Sequence, residues 1–196
     1  MKLGIVSDIH CNATALRSAI ELMGDIDELL CAGDMIYEFR FSNDVLDVLR
    51  EYKARVVLGN HEWVMLGDHG RAIREAAPVN QDHVQYLQES PFRIETEVNG
   101  KKLLMVHGSP FEPWKTYVYR NSEHFLRLAE LDYDYVIMGH THSALAERVG
   151  RTLAINPGSA GEGQRTEEGV TVSYAILDTA SDEVRIERVV VPPPSR

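Results

Sequence analysis

Asp, Asn and His recur along the chain in five short clusters: Asp8 with His10, Asp34 alone, Asn60 with His61, His107, and His140 with His142. Five of the eight histidines belong to this set. Carboxylate, amide and imidazole donors without thiolate suit Mn, Fe, Zn, Ni or Mg better than a sulfur-seeking ion. A carboxylate shared by two such ions holds them ~3.5–4 Å apart, where they acidify a water and clamp the charged oxygens of a phosphate. The chemistry to expect is therefore hydrolysis at two divalent metal ions, with Asp34 the natural bridge and hydroxide between the ions as nucleophile. Asn60 would add a neutral amide oxygen. His61 follows it directly and is expected to face the substrate and protonate the departing oxygen, a role that typically contributes ~10²–10⁴ in rate.

The elements that must position these groups are legible as well. Short apolar runs at Leu3–Val6, Leu29–Ala32, Arg55–Leu58, Lys102–Val106 and Tyr135–Met138 read as strands buried on both faces. Nearly every cluster follows one of them, and ligands in open α/β sheets gather beyond the carboxyl ends of strands. Residues two apart in an extended segment point the same way, so Asp8 with His10, and His140 with His142, are each expected to present two donors to one cavity. Gly33, Gly59, Gly108 and Gly139 flank them, where the backbone must turn or pass close to another group.

Strand, loop and helix alternate through Leu58, a βαβ order that favours parallel pairing. A helix capped by Asn12 or Thr14 is expected to reach Met23, with Ala15, Ala19, Leu22 and Met23 near helical spacing. Others are expected over Asp44–Tyr52, over Glu62–Ala77 with interruptions near Gly67 and Gly70, and over Asp82–Glu89 before Pro91. Arg93–Val98, Asn99-Gly100 and Lys102–Val106 form a hairpin signal, because Asn-Gly suits a type I′ turn. Leu145–Val149 with Thr152–Ile155, and Thr171–Asp178 with Glu183–Val191, make the second half rich in antiparallel strands. Pro192–Pro194 end the last strand in a short extended tail. The fold class is α/β of mixed α+β character, with two mixed β-sheets and helices outside them.

A chain of 196 residues with 44% hydrophobic and 26% charged residues is expected to form one compact domain over 1–196, since no Pro/Gly/Ser linker divides it. The net charge of −10 argues against holding long nucleic acid by phosphate neutralisation. A small anionic substrate is still open to it, because metal ions would be the largest local charges in the pocket. Cys11 and Cys31 lie in no framework spacing, which fits a reducing setting. The opening Met1-Lys2-Leu3-Gly4-Ile5 enters a strand at once, and no stretch approaches the ~20 apolar residues of a membrane span. A cytoplasmic protein without membrane anchorage is the expectation.

Together, Asp8-Ile9-His10, Gly33-Asp34, Gly59-Asn60-His61-Glu62, Val106-His107-Gly108 and Gly139-His140-Thr141-His142 resemble the calcineurin-like metallophosphoesterase superfamily, in its small bacterial and archaeal phosphodiesterase branch. Asn156-Pro157-Gly158-Ser159 resembles a turn of the same branch. The resemblance implies a four-layer αββα sandwich. It further implies a first metal held by Asp8, His10, Asp34 and His142, a second held by Asp34, Asn60, His107 and His140, and His61 as general acid. Cys11 departs from the glycine usual after Asp-x-His. Tyr37 stands where the superfamily's protein phosphatases place an Asp that orients the acid histidine, which argues against a protein-phosphatase-like assignment. Homo-oligomers are also a family habit.

The expected activity is hydrolysis of a small phosphodiester or nucleotide, with Mn the foremost metal. Phosphomonoesters and dinucleoside polyphosphates are alternative substrates, and a non-catalytic metal-binding scaffold, as in a retromer subunit of this superfamily, is the alternative of another class. Trp114, Tyr117 and Arg120, in the aromatic loop after His107, are candidate substrate contacts. Arg165 is a further one, by its match to a substrate-side Arg of the branch. His69, His83 and His124 are expected to be surface residues, and the charges of the Gly161–Gly169 loop to be solvated.

Overall fold

The computed structural model describes residues 1–112, 114 and 116–191. Its strands are β1 (Lys2–Val6), β2 (Glu28–Cys31), β3 (Arg55–Val56), β4 (Arg93–Val98), β5 (Lys101–Val106), β6 (Tyr135–Ile137), β7 (Leu145–Val149), β8 (Thr152–Asn156), β9 (Gln164–Arg165), β10 (Val170–Asp178) and β11 (Glu183–Val191). Its α-helices are α1 (Ala13–Met23), α2 (Asn43–Glu51), α3 (Asn60–Leu66), α4 (Arg71–Arg74), α5 (Gln81–Glu89) and α6 (Glu123–Arg127). One sheet has the order β11-β10-β1-β2-β3, with β9 beside β10, and the other has β4-β5-β6-β8-β7. Both are mixed. In the first, β1, β2 and β3 run parallel while β10 is antiparallel to β1; in the second, β5, β6 and β8 run parallel between antiparallel β4 and β7.

The two-residue period of a strand builds the layers. Leu3 and Ile5 of β1, Leu30 of β2, Leu103 and Met105 of β5, and Tyr135 and Ile137 of β6 meet between the sheets. Their strand neighbours Val6, Leu29 and Cys31 turn to the outer face of the first sheet, under α1 and α2. Leu104, Val106 and Val136 turn to the outer face of the second, under Phe125 of α6. Helix, sheet, sheet and helix therefore stack with three apolar interfaces, and the strands read as continuous apolar runs because each of their faces is covered. Fully burying one such Leu or Ile contributes about 1.5–3 kcal/mol.

Capping sets the helix starts. Asn12 accepts from the Ala15 N–H at 3.1 Å, Ser42 from Val45 at 3.3 Å and Ser122 from Phe125 at 3.1 Å. In α1 the buried stripe is Ala15, Leu16, Ala19, Ile20 and Met23, whereas Leu22, expected in that stripe, faces solvent. The segment expected to be helical over Glu62–Ala77 ends earlier, as α3, a 3-10 turn at Asp68–Gly70 and the single turn of α4. Asn99 and Gly100 take φ of 49° and 72°, the left-handed pair that a type I′ hairpin requires. Pro192–Pro194 lie outside the described residues. No helix among the described residues is long and apolar enough to cross a membrane.

Candidate metal centre

The five clusters meet at one edge, where the carboxyl ends of β1, β2 and β3 approach those of β5 and β6. Hydrogen bonds between the two groups of loops draw that edge together. The Asp8 carboxylate accepts from the His140 backbone N–H at 3.1 Å, and His107 Nδ1 donates to the Ala32 carbonyl at 2.7 Å. Ser159 Oγ donates to the Asp8 carbonyl at 2.6 Å, and Asn156 Nδ2 to the Gly139 carbonyl at 2.7 Å, so the Asn-Pro-Gly-Ser turn ties down both flanks.

The paired donors do not converge by extended alternation. Asp8, His10, Asp34, His140 and His142 all occupy left-handed backbone, with φ between 49° and 67°. L-residues reach that region at a cost of roughly 1–2 kcal/mol each, and functional sites are where such strain concentrates. The turns let the amides of Asp8, Ile9 and His10 donate to the carbonyls of Gly33 and Asp34 at 2.8–3.1 Å, while their side chains project together. Close approach also explains two of the flanking glycines. A Cβ at Gly59 would overlap the Asp34 carboxylate, and one at Gly139 would overlap Ser7 Oγ and stand 2.8 Å from Asp8 Oδ2.

Three groups of donors result. Asp8, His10 and His142 form one, Asp34, His107 and His140 another, and Asp34 joins His10 and His61 in a third, with ligand atoms within 4.8 Å of one another in each. Asp34 thus stands between the two sides. Its Oδ2 lies 3.1 Å from His107 Nε2 and 3.7 Å from His61 Nε2. Asn60 Oδ1 lies 3.0 Å from His107 Nε2, and His10 Nε2 faces His142 Nε2 at 3.1 Å. Because the Ala32 carbonyl takes the proton on His107 Nδ1, Nε2 is the nitrogen turned to the cluster, which is how a protein prepares an imidazole ligand. His140 Nε2 is buried with no hydrogen-bond partner among the described residues.

The electrostatics follow from burial and crowding. Burial pushes His10 and His140 down to about 4, so both are neutral donors at neutral pH. Burial also opposes charge on His107, but Asp34 beside it prevails and raises its pKa to about 10. Burial opposes ionisation of Asp34 as well, yet the neighbouring His107 holds its carboxyl well below the usual range. A proton is thus held between two groups that are also cation ligands by type, and a divalent ion would displace it.

Around the cluster the candidate substrate residues part company. Tyr117 stacks on the His140 ring with centroids 3.8 Å apart. Trp114 stacks instead on Trp63 of α3 at 4.8 Å and leans on Phe92 at 4.7 Å, an aromatic cluster flanking α3. Arg120 is drawn to Glu147 of β7 at 2.6 Å, not toward the cluster. Arg165, in β9, lines a cavity of about 590 Å³ beside His10 and His142. His69 is exposed as expected, His124 is half-buried, and His83 is buried, contrary to expectation: its Nε2 meets Asp47 at 2.9 Å and its Nδ1 meets Arg50 at 3.2 Å, both from α2. That pairing across two helices leaves no local sign in the chain.

Two carboxylates were given no role by the sequence reading. Glu62 is fully buried and accepts the backbone N–H groups of Asp34 (2.9 Å), Ile36 (2.9 Å) and Gly59 (2.8 Å), fixing the loops that bear Asp34 and Asn60. Its position three residues after Gly59, the glutamate spacing of a capping box, was the available signal. Glu38 contacts His61 Nδ1. An acid therefore does stand behind His61, one residue beyond Tyr37, whose ring stacks on His10 at 4.7 Å and meets His61 edge-on at 5.5 Å.

A layered αββα fold whose strand ends gather Asp, Asn and His defines a metal-dependent phosphoesterase class. The chain belongs to the calcineurin-like phosphoesterase superfamily, whose domain model matches residues 1–182. It is 28% identical over 190 residues to phosphodiesterase MJ0936 of Methanocaldococcus jannaschii, across 94% of this chain and 97% of that protein. Among solved structures, a metallophosphoesterase from Sphaerobacter thermophilus shares 26% identity with a TM-score of 0.77, covering 96% of this chain and 88% of its own. A Vps29 single mutant from Entamoeba histolytica shares the fold at 21% identity and a TM-score of 0.57, covering 97% and 99%.

Proposed function

We propose that this protein hydrolyses a small phosphodiester or nucleotide with two divalent ions, manganese foremost. The observation that carries the reading is the position of Asp34, whose carboxylate belongs at once to a donor group with His107 and His140 and to one with His10 and His61. Asp8, His10, Asp34 and His142 would hold one ion, and Asp34, Asn60, His107 and His140 the other. Bound there, the ions would supply Lewis acidity and a water acidified to hydroxide at neutral pH.

The chain's own groups supply the rest. His61 is half-buried at the rim of the cluster, where Nε2 can give a proton to the departing oxygen. Glu38, against Nδ1, would hold the ring in place. Glu62 would keep the Asp34 and Asn60 loops in register. The similarity to MJ0936 supports a diester over a monoester substrate. The two free cysteines and acidic composition are compatible with a cytoplasmic enzyme.

The test is metal analysis of gently purified protein, together with hydrolysis of bis-p-nitrophenyl phosphate and p-nitrophenyl phosphate in Mn by wild type and His61→Ala. Two ions per chain and preferred cleavage of the diester are expected. Preference for the monoester would overturn the diester assignment. Ion uptake without cleavage of either ester would favour the scaffold reading.

A further inference from the structure

The cavity beside His10 and His142 has a character at odds with the rest of the chain. In a protein of net charge −10, two guanidinium groups, those of Arg40 and Arg165, line it. So do Asn12 and Ser42, the capping residues of α1 and α2, which means that the positive ends of an eleven-residue and a nine-residue helix abut the same space.

Arg40 is held in place. One of its terminal nitrogens donates to the His10 carbonyl at 2.9 Å, and its guanidinium carbon lies 4.6 Å from the centre of the Tyr37 ring. It forms no ion pair among the described residues, so most of its five N–H donors remain for a ligand. Arg165 comes from β9, which is fixed by pairing with β10 through Val170 and Thr171. The carboxylate in the lining is Glu162, which the Tyr37 hydroxyl engages. At about 590 Å³ the space far exceeds what one phosphoryl group beside His10 and His142 would fill.

We propose that this cavity is a second anion subsite, so that the preferred substrate is a small ester carrying another phosphoryl group besides the scissile one. The proposal rests on the phosphoesterase reading, because it takes the scissile phosphate to lie at the Asp and His cluster. Arg40 and Arg165 would grip the second phosphoryl group through charge-assisted hydrogen bonds, and the two helix ends would add their fields. Neither arginine takes part in bond breaking. Both determine which ester is held.

The matched probes are thymidine 5′-(p-nitrophenyl phosphate) and the same ester bearing a 3′-phosphate, which share leaving group and scissile diester. Wild type is expected to show a KM at least ~10-fold lower for the doubly phosphorylated ester, the scale of one charge-assisted contact. In Arg40→Ala/Arg165→Ala that KM ratio should collapse to about one. Arg165→Ala alone, on an exposed strand, should lower the ratio severalfold and keeps the test readable if the Arg40 change unfolds its loop. A wild-type ratio near one, or a ratio that survives in the double variant, overturns the proposal. Failure to cleave bis-p-nitrophenyl phosphate is a separate result that strikes the phosphoesterase reading. In that event titration calorimetry of the metal-free protein with inorganic pyrophosphate decides the subsite: binding lost in the double variant supports it, and no binding by wild type overturns it.

Discussion

The two sides of the candidate centre differ in how they meet solvent. His10 and His142 line the arginine-bearing cavity and His142 is exposed, with Asp8 buried behind them. Asp34, His107 and His140 are all buried, with Tyr117 lying flat over His140. The donor types are nearly the same on both sides, so enclosure separates them. An ion on the first side would exchange readily with solvent, while one on the second would be released slowly. Asp34 joins the two, and the variants that act on it directly should erase the difference.

The largest effect is expected from Asp34→Asn, which removes the shared charge: metal analysis should find both ions depleted and diester cleavage abolished. Retention of one full ion would show that the two sides bind independently. His61→Ala leaves both donor sets intact and should lower kcat by ~10²–10⁴ with metal content unchanged. Glu62→Gln should weaken metal binding by ~10–100-fold, as loss of a group that orients ligands does. Titration with Mn against a chelating indicator reads this, and the weakening should centre on the Asp34–Asn60 side. Against a chelator, wild type should lose its ions in two phases, fast from the open side and slow from the enclosed one. Tyr117→Ala, the mildest change, should speed the slow phase severalfold, and an unaltered slow phase would show that Tyr117 does not govern access.

Cysteine chemistry sharpens the same contrast at lower stakes. Cys11 lines the open cavity, yet burial pushes its thiol up to about 11, and its Sγ donates to the Arg40 carbonyl at 3.1 Å. At pH 7.5 the thiolate that alkylation requires is scarce, and the rate should rise with pH as the thiol ionises. Labelling by iodoacetamide in the native state should therefore be much slower than in urea, followed by intact mass.

Much of this architecture is visible in one dimension because the strands are covered on both sides. Leu3–Val6 and Leu103–Val106 contain no polar or charged side chain, and their ends fall where the ligands begin. Asn99-Gly100 declares its hairpin, and Asn12 its helix start, through local hydrogen bonding alone. Leu22 misled because an apolar side chain at helical spacing says nothing of what lies opposite, and here the side chain stays exposed. His83 misled for the converse reason: Asp47 and Arg50, 36 and 33 residues away, provide the polar partners that let it be buried. The left-handed turns at Asp8, His10, His140 and His142 were not legible either, since they are imposed by neighbouring loops.

By itself, the order of residues determined the donor types, their placement at strand ends and the layered fold, all of which follow from local periodicity and short-range hydrogen bonding. Only the folded chain decided which donors share Asp34, that Glu38 backs His61, that Glu62 fixes three amides, and that Arg40 and Arg165 face one cavity. Those relations join segments tens to more than a hundred residues apart. Their energies come from burial and close electrostatic contact, which exist only once the two sheets have packed.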